Sequence, residues 1–447
     1  MKRVILFICS LCVAVACNNR LEIEPEQGIY SEVALSTEQG VKTTLVGCYD
    51  LLSQGLLWGG HLMLDSELYA DAENQIWTGF SFDISQIFQK NIFVGNAFVE
   101  AIWRDAYETI NLCNNVIAAV EVVNEAERPA AEAAARFIRG ALYFELVNLY
   151  GKTWIDGDPN TNLAVPLIVQ PSQDIFTNAK PTRSTVAEVY ALILEDLLFA
   201  KENLPPQNGI FANTFAASAL LTRVYLMQER FDLAGTEADR IISSNVFSLV
   251  PNFSEVFNQS NNTSEDIFAM QITSQDGVNN MNFYYAGENE GGGGFIGISE
   301  EHIAKYEAED QRANLFYFDA ITNTRRTAKW LDNPDRNGNI NIIRLSEMYL
   351  TRAECNFRLG KMETVAEDIN IVRARTGLLP LSLEELTLER ILEERYLELA
   401  FEGHLYRDTK RNRMDIGAIP FDAPRMIFPI PQREMDLNAL LIQNEGY

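Results

Sequence analysis

The sequence predicts an all-α protein in which irregular loop regions extend from a helical body. Apolar residues recur mainly at the spacing of an amphipathic helix, and long alternations of the strand type are scarce. Gly151, Gly360 and Gly377 stand just past predicted helix C-termini, and Ser36 and Ser184 are placed to cap N-termini. The predicted helices are Thr37–Ser53, Gly95–Val122, Ala130–Tyr150, Ser184–Asn203, Thr214–Glu229, Leu233–Ser243, Arg344–Leu359, Met362–Thr376 and Leu388–Arg411.

Two pairs of predicted helices are similar to each other: Thr214–Glu229 with Leu233–Ser243, and Arg344–Leu359 with Met362–Thr376. In each pair the chain turns within a few residues, and the second helix carries an internal alanine. This pattern is typical of tetratricopeptide-like hairpins, in which small residues let antiparallel helices approach and each hairpin packs on the next. We therefore predict that an array of such hairpins forms the scaffold.

The N-terminus has the composition of an export signal. Lys2 and Arg3 precede the apolar run Val4–Ala16, which is too short to span a bilayer as a helix. Small residues end the run, and Cys17 follows at once, as in a bacterial lipoprotein. The sequence therefore predicts that Cys17 is lipidated. The alternative is an ordinary secretory signal with Cys17 incidental.

These features divide the chain into residues 1–16 as a signal peptide, 17–27 as a lipid-anchored tether and 28–447 as one domain. Two irregular, polar and aromatic regions, at about 55–96 and 245–341, interrupt the helical body. Loops on a rigid frame are common places for binding residues. No later stretch approaches the roughly 20 apolar residues of a membrane helix, so we expect the lipid to be the sole membrane contact.

Charge and cysteine content exclude several functions. A net charge of −26 without any Lys/Arg cluster argues against a nucleic-acid partner. After the signal, Cys48, Cys113 and Cys355 remain, and they share no metal-ligand spacing. We expect buried thiols, and a Cys48–Cys113 disulfide stays open. No cofactor and no metal are predicted.

Motifs of metal-binding and catalytic sites are incomplete. The segment Asn333–Ile340 imitates the start of a calcium-binding EF-hand loop, but Arg344 occupies the place of the closing glutamate. There is no Gly-x-Ser-x-Gly elbow, and no Cys/His pairing that would form a nucleophile. Among 62 acidic residues some pair will always suit glycoside hydrolysis, so such a pair has no weight. We predict no catalytic residue.

Several segments, spread along most of the chain, are informative when taken together and in order. They are Glu132–Gly151 followed by Val165–Leu167, Arg183–Pro205, Ile343–Glu354, Glu394–His404 and Pro429–Tyr447. Together, behind a lipoprotein signal, they resemble the SusD/RagB family of outer-membrane nutrient-binding lipoproteins of Bacteroidetes. The chain departs from the family pattern after His404, where Leu405 stands in place of the usual arginine.

The resemblance implies a tetratricopeptide-like body that is lipid-anchored in the outer membrane and faces the cell exterior. It also implies capture of oligo- or polysaccharide and its delivery to a SusC-like TonB-dependent transporter, without catalysis. Alternatives are a peptide-binding member of the same system, an interaction scaffold without a small ligand, and a surface hydrolase. The Arg and Glu residues of the blocks are expected to form ion pairs between helices rather than ligand contacts.

Sugars present apolar faces and hydroxyl groups, so their sites combine aromatic rings with polar side chains. Both irregular regions offer this mixture, and the first resembles the segment that supplies ligand contacts in the family. For each aromatic, the alternative is that it anchors its loop to the body. The predicted ligand-binding residues are Trp77, Tyr284 and Trp330 as stacking surfaces, with Asp71, Asn74 and Asn282 as polar partners.

Overall fold

The computed structural model describes residues 34–71, 73–172, 180–273, 279–331 and 338–447. The predicted signal peptide, the tether and the lipidation site at Cys17 lie outside these residues. So does most of the EF-hand-like segment, up to Asn337.

Helices dominate the described residues, as the sequence predicts. They are α1 (Glu38–Ser53), α2 (His61–Ala70), α3 (Phe82–Phe88), α4 (Ala97–Ala118), α5 (Arg128–Tyr150), α6 (Val186–Asn203), α7 (Thr214–Met227), α8 (Phe231–Ser243), α9 (Asn280–Tyr285), α10 (Glu300–Ile303), α11 (Leu345–Arg358), α12 (Val365–Arg375), α13 (Leu388–Leu399), α14 (Leu405–Arg411) and α15 (Gln432–Leu437). None of the helices in the described ranges has the length and apolar character needed to cross a membrane.

The helix caps differ from the prediction by one residue. Thr37 caps α1 by accepting from the N–H of Gly40, and Thr185 caps α6. The Thr185 hydroxyl accepts from the N–H of Glu188, and the Glu188 carboxylate accepts from the N–H of Thr185, which forms a capping box. The threonines next to Ser36 and Ser184 therefore fix these two helix starts.

The tetratricopeptide-like hairpins are present. Helix α7 packs on α8, α11 packs on α12, and α8 of the first hairpin packs on α11 of the second. A Cβ atom at Gly235 of α8 would lie 3.2 Å from Cβ of Cys355 on α11, so the absence of a side chain allows this close approach. Cys48, Cys113 and Cys355 are free and buried.

Both regions predicted as irregular contain short strands and helices. The strands are β1 (Gln75–Trp77), β2 (Asp266–Met270), β3 (Ile296–Ile298), β4 (Phe316–Asp319), β5 (Thr324–Thr327) and β6 (Ile340–Arg344). A four-stranded antiparallel sheet has the order β1-β3-β5-β4, and β2 pairs with β6. The first sheet thereby joins the two regions, because β1 comes from one and β3 from the other.

The prediction of one continuous helix over Leu388–Arg411 is wrong, because the chain breaks between α13 and α14. Phe401 and Gly403 both have positive φ, at 65° and 79°. The Phe401 ring packs against His302 and Tyr285, and its carbonyl accepts from Trp330 Nε1 at 2.9 Å. These distant contacts hold Phe401 in a backbone conformation that is unfavourable for a side chain of its size.

A buried ionic network surrounds this break. The Arg344 guanidinium, at the end of β6, forms ion pairs with Glu265 at 2.6 Å, Glu402 at 2.7 Å and Glu398 at 3.3 Å. Lys329 forms an ion pair with Glu402 at 2.6 Å. The network thus ties the sheet region to the helices at the C-terminal end of the chain.

Removal of the central guanidinium should be costly, because it leaves three buried carboxylates without their common partner. We expect Arg344→Met to lower the free energy of unfolding by about 3–5 kcal/mol in urea denaturation. The control is Arg325→Met, whose exposed pair with Glu300 should contribute at most about 1 kcal/mol. Equal losses in the two variants would contradict the structural role of the network.

Acid should weaken the same network. Burial alone would raise the pKa of Glu398, but the charges of Arg375, Arg344 and Arg312 outweigh it and lower this pKa from 4.5 to about 2. A carboxyl group with a lowered pKa stabilises the fold above its ordinary pKa and loses this contribution as the pH falls towards 2. Circular dichroism with urea titrations should therefore show falling stability between about pH 4.5 and 2. A constant free energy of unfolding over this interval would contradict the pairing.

Candidate functional site

The loop after α2 is held by its own polar side chains. Asp71 is 2% exposed, and its Oδ1 accepts from the backbone N–H and the side-chain amide of Asn74 at 2.9 and 2.8 Å. Asn74 Oδ1 accepts in turn from Lys305 Nζ at 2.7 Å. Asp71 Oδ1 and Asn74 Oδ1 thus both accept hydrogen bonds within the protein, whereas the buried Asp71 Oδ2 has no partner among the described residues. These hydrogen bonds fix the backbone that leads into β1.

Trp77 lies at the end of β1, opposite Ile296 of β3. Its Nε1–H donates to Ser85 Oγ at 2.9 Å, which fixes the half-buried indole against α3. A Cβ atom at Gly79 would approach Cζ2 of the indole to 2.4 Å, so glycine is required where the chain passes over the ring. The loop therefore holds Trp77 in one orientation.

The structure brings Trp77 and Tyr284 together. Their ring centroids are 6.3 Å apart, and Phe295 lies 6.1 Å from Trp77 and 5.8 Å from Tyr284. Phe283 contacts Phe295 at 5.4 Å, edge to face. These four rings, Trp77, Phe283, Tyr284 and Phe295, form what we call the aromatic cluster. Burial raises the pKa of Tyr284 well above 10, so its hydroxyl is protonated at neutral pH.

The outward surface of this region carries aromatic rings that the sequence interpretation did not select. Phe283 is 41% exposed, and Phe80 and Phe82, which follow Trp77 closely, are 96% and 69% exposed. Phe82 also contacts the half-exposed ring of Phe93 at 6.3 Å. The signal in the sequence was the density of aromatic residues in a short polar segment, which is unusual for a loop that only connects helices.

Besides Asp71, three of the predicted residues are buried. Tyr284 is 8% exposed, so its ring packs inside the aromatic cluster rather than facing solvent, and the other two lie deeper. Trp330 is 2% exposed and donates from Nε1 to the carbonyl of Phe401, so its ring offers no surface for stacking. Asn282 is 5% exposed and its amide is directed at the Trp330 carbonyl, at 3.4 Å. The prediction that these two side chains contact a ligand is corrected: they anchor α9 and the 328–331 segment to the body.

Among the described residues, no group of three or more His, Cys, Asp or Glu side chains is arranged to hold a metal ion. The geometry of the cluster instead suits contact with flat, partly apolar molecules. Exposed ring faces bind such surfaces by stacking, while fixed ring positions keep the entropic cost of binding low.

The correction for Trp330 can be tested through stability. We expect Trp330→Ala to lower the free energy of unfolding by about 3–5 kcal/mol, because it removes a fully buried side chain. Phe80→Ala should change stability by at most about 0.5 kcal/mol, since the Phe80 ring is in solvent. The measurement is urea denaturation followed by tryptophan fluorescence and circular dichroism. A small loss in Trp330→Ala would mean that the ring is not part of the core.

Comparison with known proteins connects this geometry to a family. A family model described as "Starch-binding associating with outer membrane" matches residues 21–226, and one described as "SusD family" matches residues 322–418. The two matches include the loop of Trp77 and the second hairpin with the helix break. They cover separate parts of the chain and lead to the same superfamily.

Full-length relatives are similar throughout. The chain is 26% identical to SusD-like protein P2 of Formosa agariphila over 517 positions, covering 100% of both chains. It is 23% identical to the starch-binding protein SusD of Bacteroides thetaiotaomicron over 516 positions, covering 92% of this chain and 86% of the relative.

A solved structure shares the fold. The crystal structure of a SusD superfamily protein from Bacteroides thetaiotaomicron has 27% sequence identity to this chain and a TM-score of 0.81, covering 91% of this chain and 99% of the other. The order of helices, the full-length relatives and the two family models agree, and the chain therefore belongs to the SusD/RagB family.

Proposed function

We propose that the protein captures oligo- or polysaccharide on the cell surface and delivers it to a SusC-like TonB-dependent transporter in the outer membrane. The lipidated Cys17 would hold it there. In this proposal the aromatic cluster, extended by Phe80 and Phe82, contacts the sugar rings, and Asn74 lies beside them.

The observation that carries the proposal is the exposure of aromatic rings on a rigid support. Trp77 is half-buried and held by Ser85, whereas Phe80 and Phe283 present 96% and 41% of their surface to solvent. A ring held in one orientation, as Trp77 is, suits a ligand that stacks on it, because little freedom is lost on binding. Exposed apolar rings of this kind commonly mark a binding surface.

The comparisons favour a glycan over a peptide. One matching family model carries the words "Starch-binding" in its description, and one relative is described as a starch-binding protein. The chemistry agrees with that choice, because stacking on ring faces recognises the apolar side of a sugar without requiring charge.

A hydrolase would need two free carboxylates facing each other across a cleft. The buried Glu67 lines a cavity, but the nearby Asp408 accepts from Arg395 and Arg411, which leaves it no free oxygen for chemistry. The arrangement favours binding without cleavage.

The test is a binding screen of the protein, expressed from Asn18 onward, against neutral polysaccharides and peptide mixtures by affinity electrophoresis and calorimetry. We expect Trp77→Ala to weaken binding of the captured glycan about tenfold or more, because truncation of a central aromatic anchor costs about 2 kcal/mol. Phe80→Ala should weaken it less, since a fully exposed ring loses less contact area.

Phe318→Ala is the matched control, because this exposed phenylalanine of β4 lies outside the cluster. The affinity of Phe318→Ala for the glycan should equal that of the unchanged protein. Tight binding of peptides with no binding of glycans would mean that the ligand is a peptide and not a glycan. Glycan binding that survives both Trp77→Ala and Phe80→Ala would remove the aromatic cluster as the site.

A further inference from the structure

A cavity of about 400 Å³ lies between α2, α13 and α14, and it is separate from the aromatic cluster. This volume is in the range of sites that hold small molecules. Its wall is predominantly apolar. The apolar lining comes from Leu392, Tyr396, Leu399, Ala400, Leu405 and Met414.

A buried carboxyl group without a cationic partner lines this cavity. Glu67 of α2 is 2% exposed, and its Oε1 accepts from the backbone N–H groups of His404 at 2.9 Å and Leu405 at 3.3 Å. Among the described residues, no Lys or Arg side chain forms an ion pair with this carboxylate. Amide groups alone compensate its charge, and they do so incompletely.

Most other buried carboxylates in the described chain have a guanidinium partner. Glu347, for example, pairs with Arg223 at 2.8 Å, and Glu145 pairs with Arg407 at 2.9 Å. Glu67 differs, and burial raises its pKa to about 7, despite the amide of Leu405. A cation that entered the cavity would stabilise the ionised form and complete the pairing found elsewhere in this protein.

The remaining charges around the cavity nearly balance one another, so Glu67 is the acid there without a cationic partner. Arg395 and Asp408 neutralise each other at 2.8 Å, and burial lowers the pKa of His404, which stays neutral at pH 7. The exposed rim carries Glu389 and Glu393, and Glu393 forms an ion pair with Arg390 at 2.8 Å. Against these acids stands Lys305, whose Nζ donates to Asn74 Oδ1 rather than to a carboxylate.

We propose that this cavity is a second binding site, for an organic ammonium ion with an apolar body. The ammonium group pairs with the Glu67 carboxylate, and the hydrocarbon lies between Leu392, Tyr396 and Leu405. An anionic or purely apolar ligand of the same size leaves the carboxylate unpaired. The bond between Lys305 and Asn74 puts the rim beside the loop that carries Trp77.

The probe is n-hexylamine, titrated into the full chain from Asn18 onward at pH 7 and followed by calorimetry and saturation-transfer NMR. Its neutral and anionic counterparts are n-hexanol and hexanoate. We expect saturable binding of the amine at least about tenfold tighter than of either counterpart, because only the amine forms the charge-assisted hydrogen bond. Equal binding of hexanol, or no binding of the amine, would overturn the proposal.

Glu67→Gln keeps an oxygen that can accept from the α14 amides, and it should weaken amine binding about tenfold or more. Lys305→Met should strengthen binding, since it removes the cation at the rim. Leu392→Trp should abolish binding by filling the cavity. The second and third variants keep the test decisive if Glu67→Gln fails to fold, which thermal unfolding would reveal.

The controls separate this site from the proposed glycan site. Glu202→Gln removes an exposed charge on α6, away from the cavity, and should leave amine binding unchanged. Phe80→Ala should also leave it unchanged, even where it weakens glycan binding. Unaltered amine affinity in Glu67→Gln and Leu392→Trp would exclude the cavity. Failure of glycan capture would not affect the result with the amine.

Discussion

The architecture depends on buried arginine–carboxylate pairs that join helices distant in sequence. Arg139 of α5 binds Asp196 of α6 through two hydrogen bonds of 2.8 Å, and Arg223 of α7 binds Glu347 of α11 through two of 2.8 Å. A planar guanidinium forms two parallel hydrogen bonds only when the carboxylate faces it directly. Each pair therefore fixes the axial position of one helix relative to the other. Hydrophobic burial supplies most of the stability, and the ion pairs select which packing of the helices is adopted.

The same constraint shapes the two surfaces that we propose for binding. Arg344 and Lys329 hold the carboxylate of Glu402, and this anchors the chain at the break between α13 and α14. Because the chain turns there, the start of α14 projects its amides onto Glu67 and opens the cavity beside α13. Phe401 lies at the break. Its carbonyl accepts a hydrogen bond from Trp330, and its side chain fills the interior beneath the loops that carry the aromatic cluster. One packed junction thus shapes the cavity and supports the loops around it.

Local signals made much of the frame predictable. Caps, glycine stops and helical spacing act over a few residues, and each predicted helix overlaps an observed one within a few residues at its ends, apart from the segment 388–411. Helices α2 and α3 were not predicted, because they lie in the region interpreted as irregular. The break within 388–411 could not be predicted, because Phe401 takes its unfavourable backbone conformation from contacts with residues far away in sequence. For the proposed site, composition selected the loops of Trp77 and Tyr284, whose rings the structure brings together, but exposure is a tertiary property. Trp330 and Phe80 are both aromatic residues of predicted loops, and only the packing decides that one is 2% and the other 96% exposed.

The two proposed surfaces differ in chemistry. The aromatic cluster has no charged side chain among its four rings, so a ligand bound there would be recognised by ring contact and shape. The chain as a whole carries a net charge of −26, which repels acidic polymers over distances of about 10 Å at moderate ionic strength. The charge is thus consistent with the proposal of a neutral glycan, which would approach the rings without electrostatic repulsion. The same negative potential favours cations. In the proposed second site, a cation would stabilise the ionised form of Glu67, whose pKa burial raises to about 7.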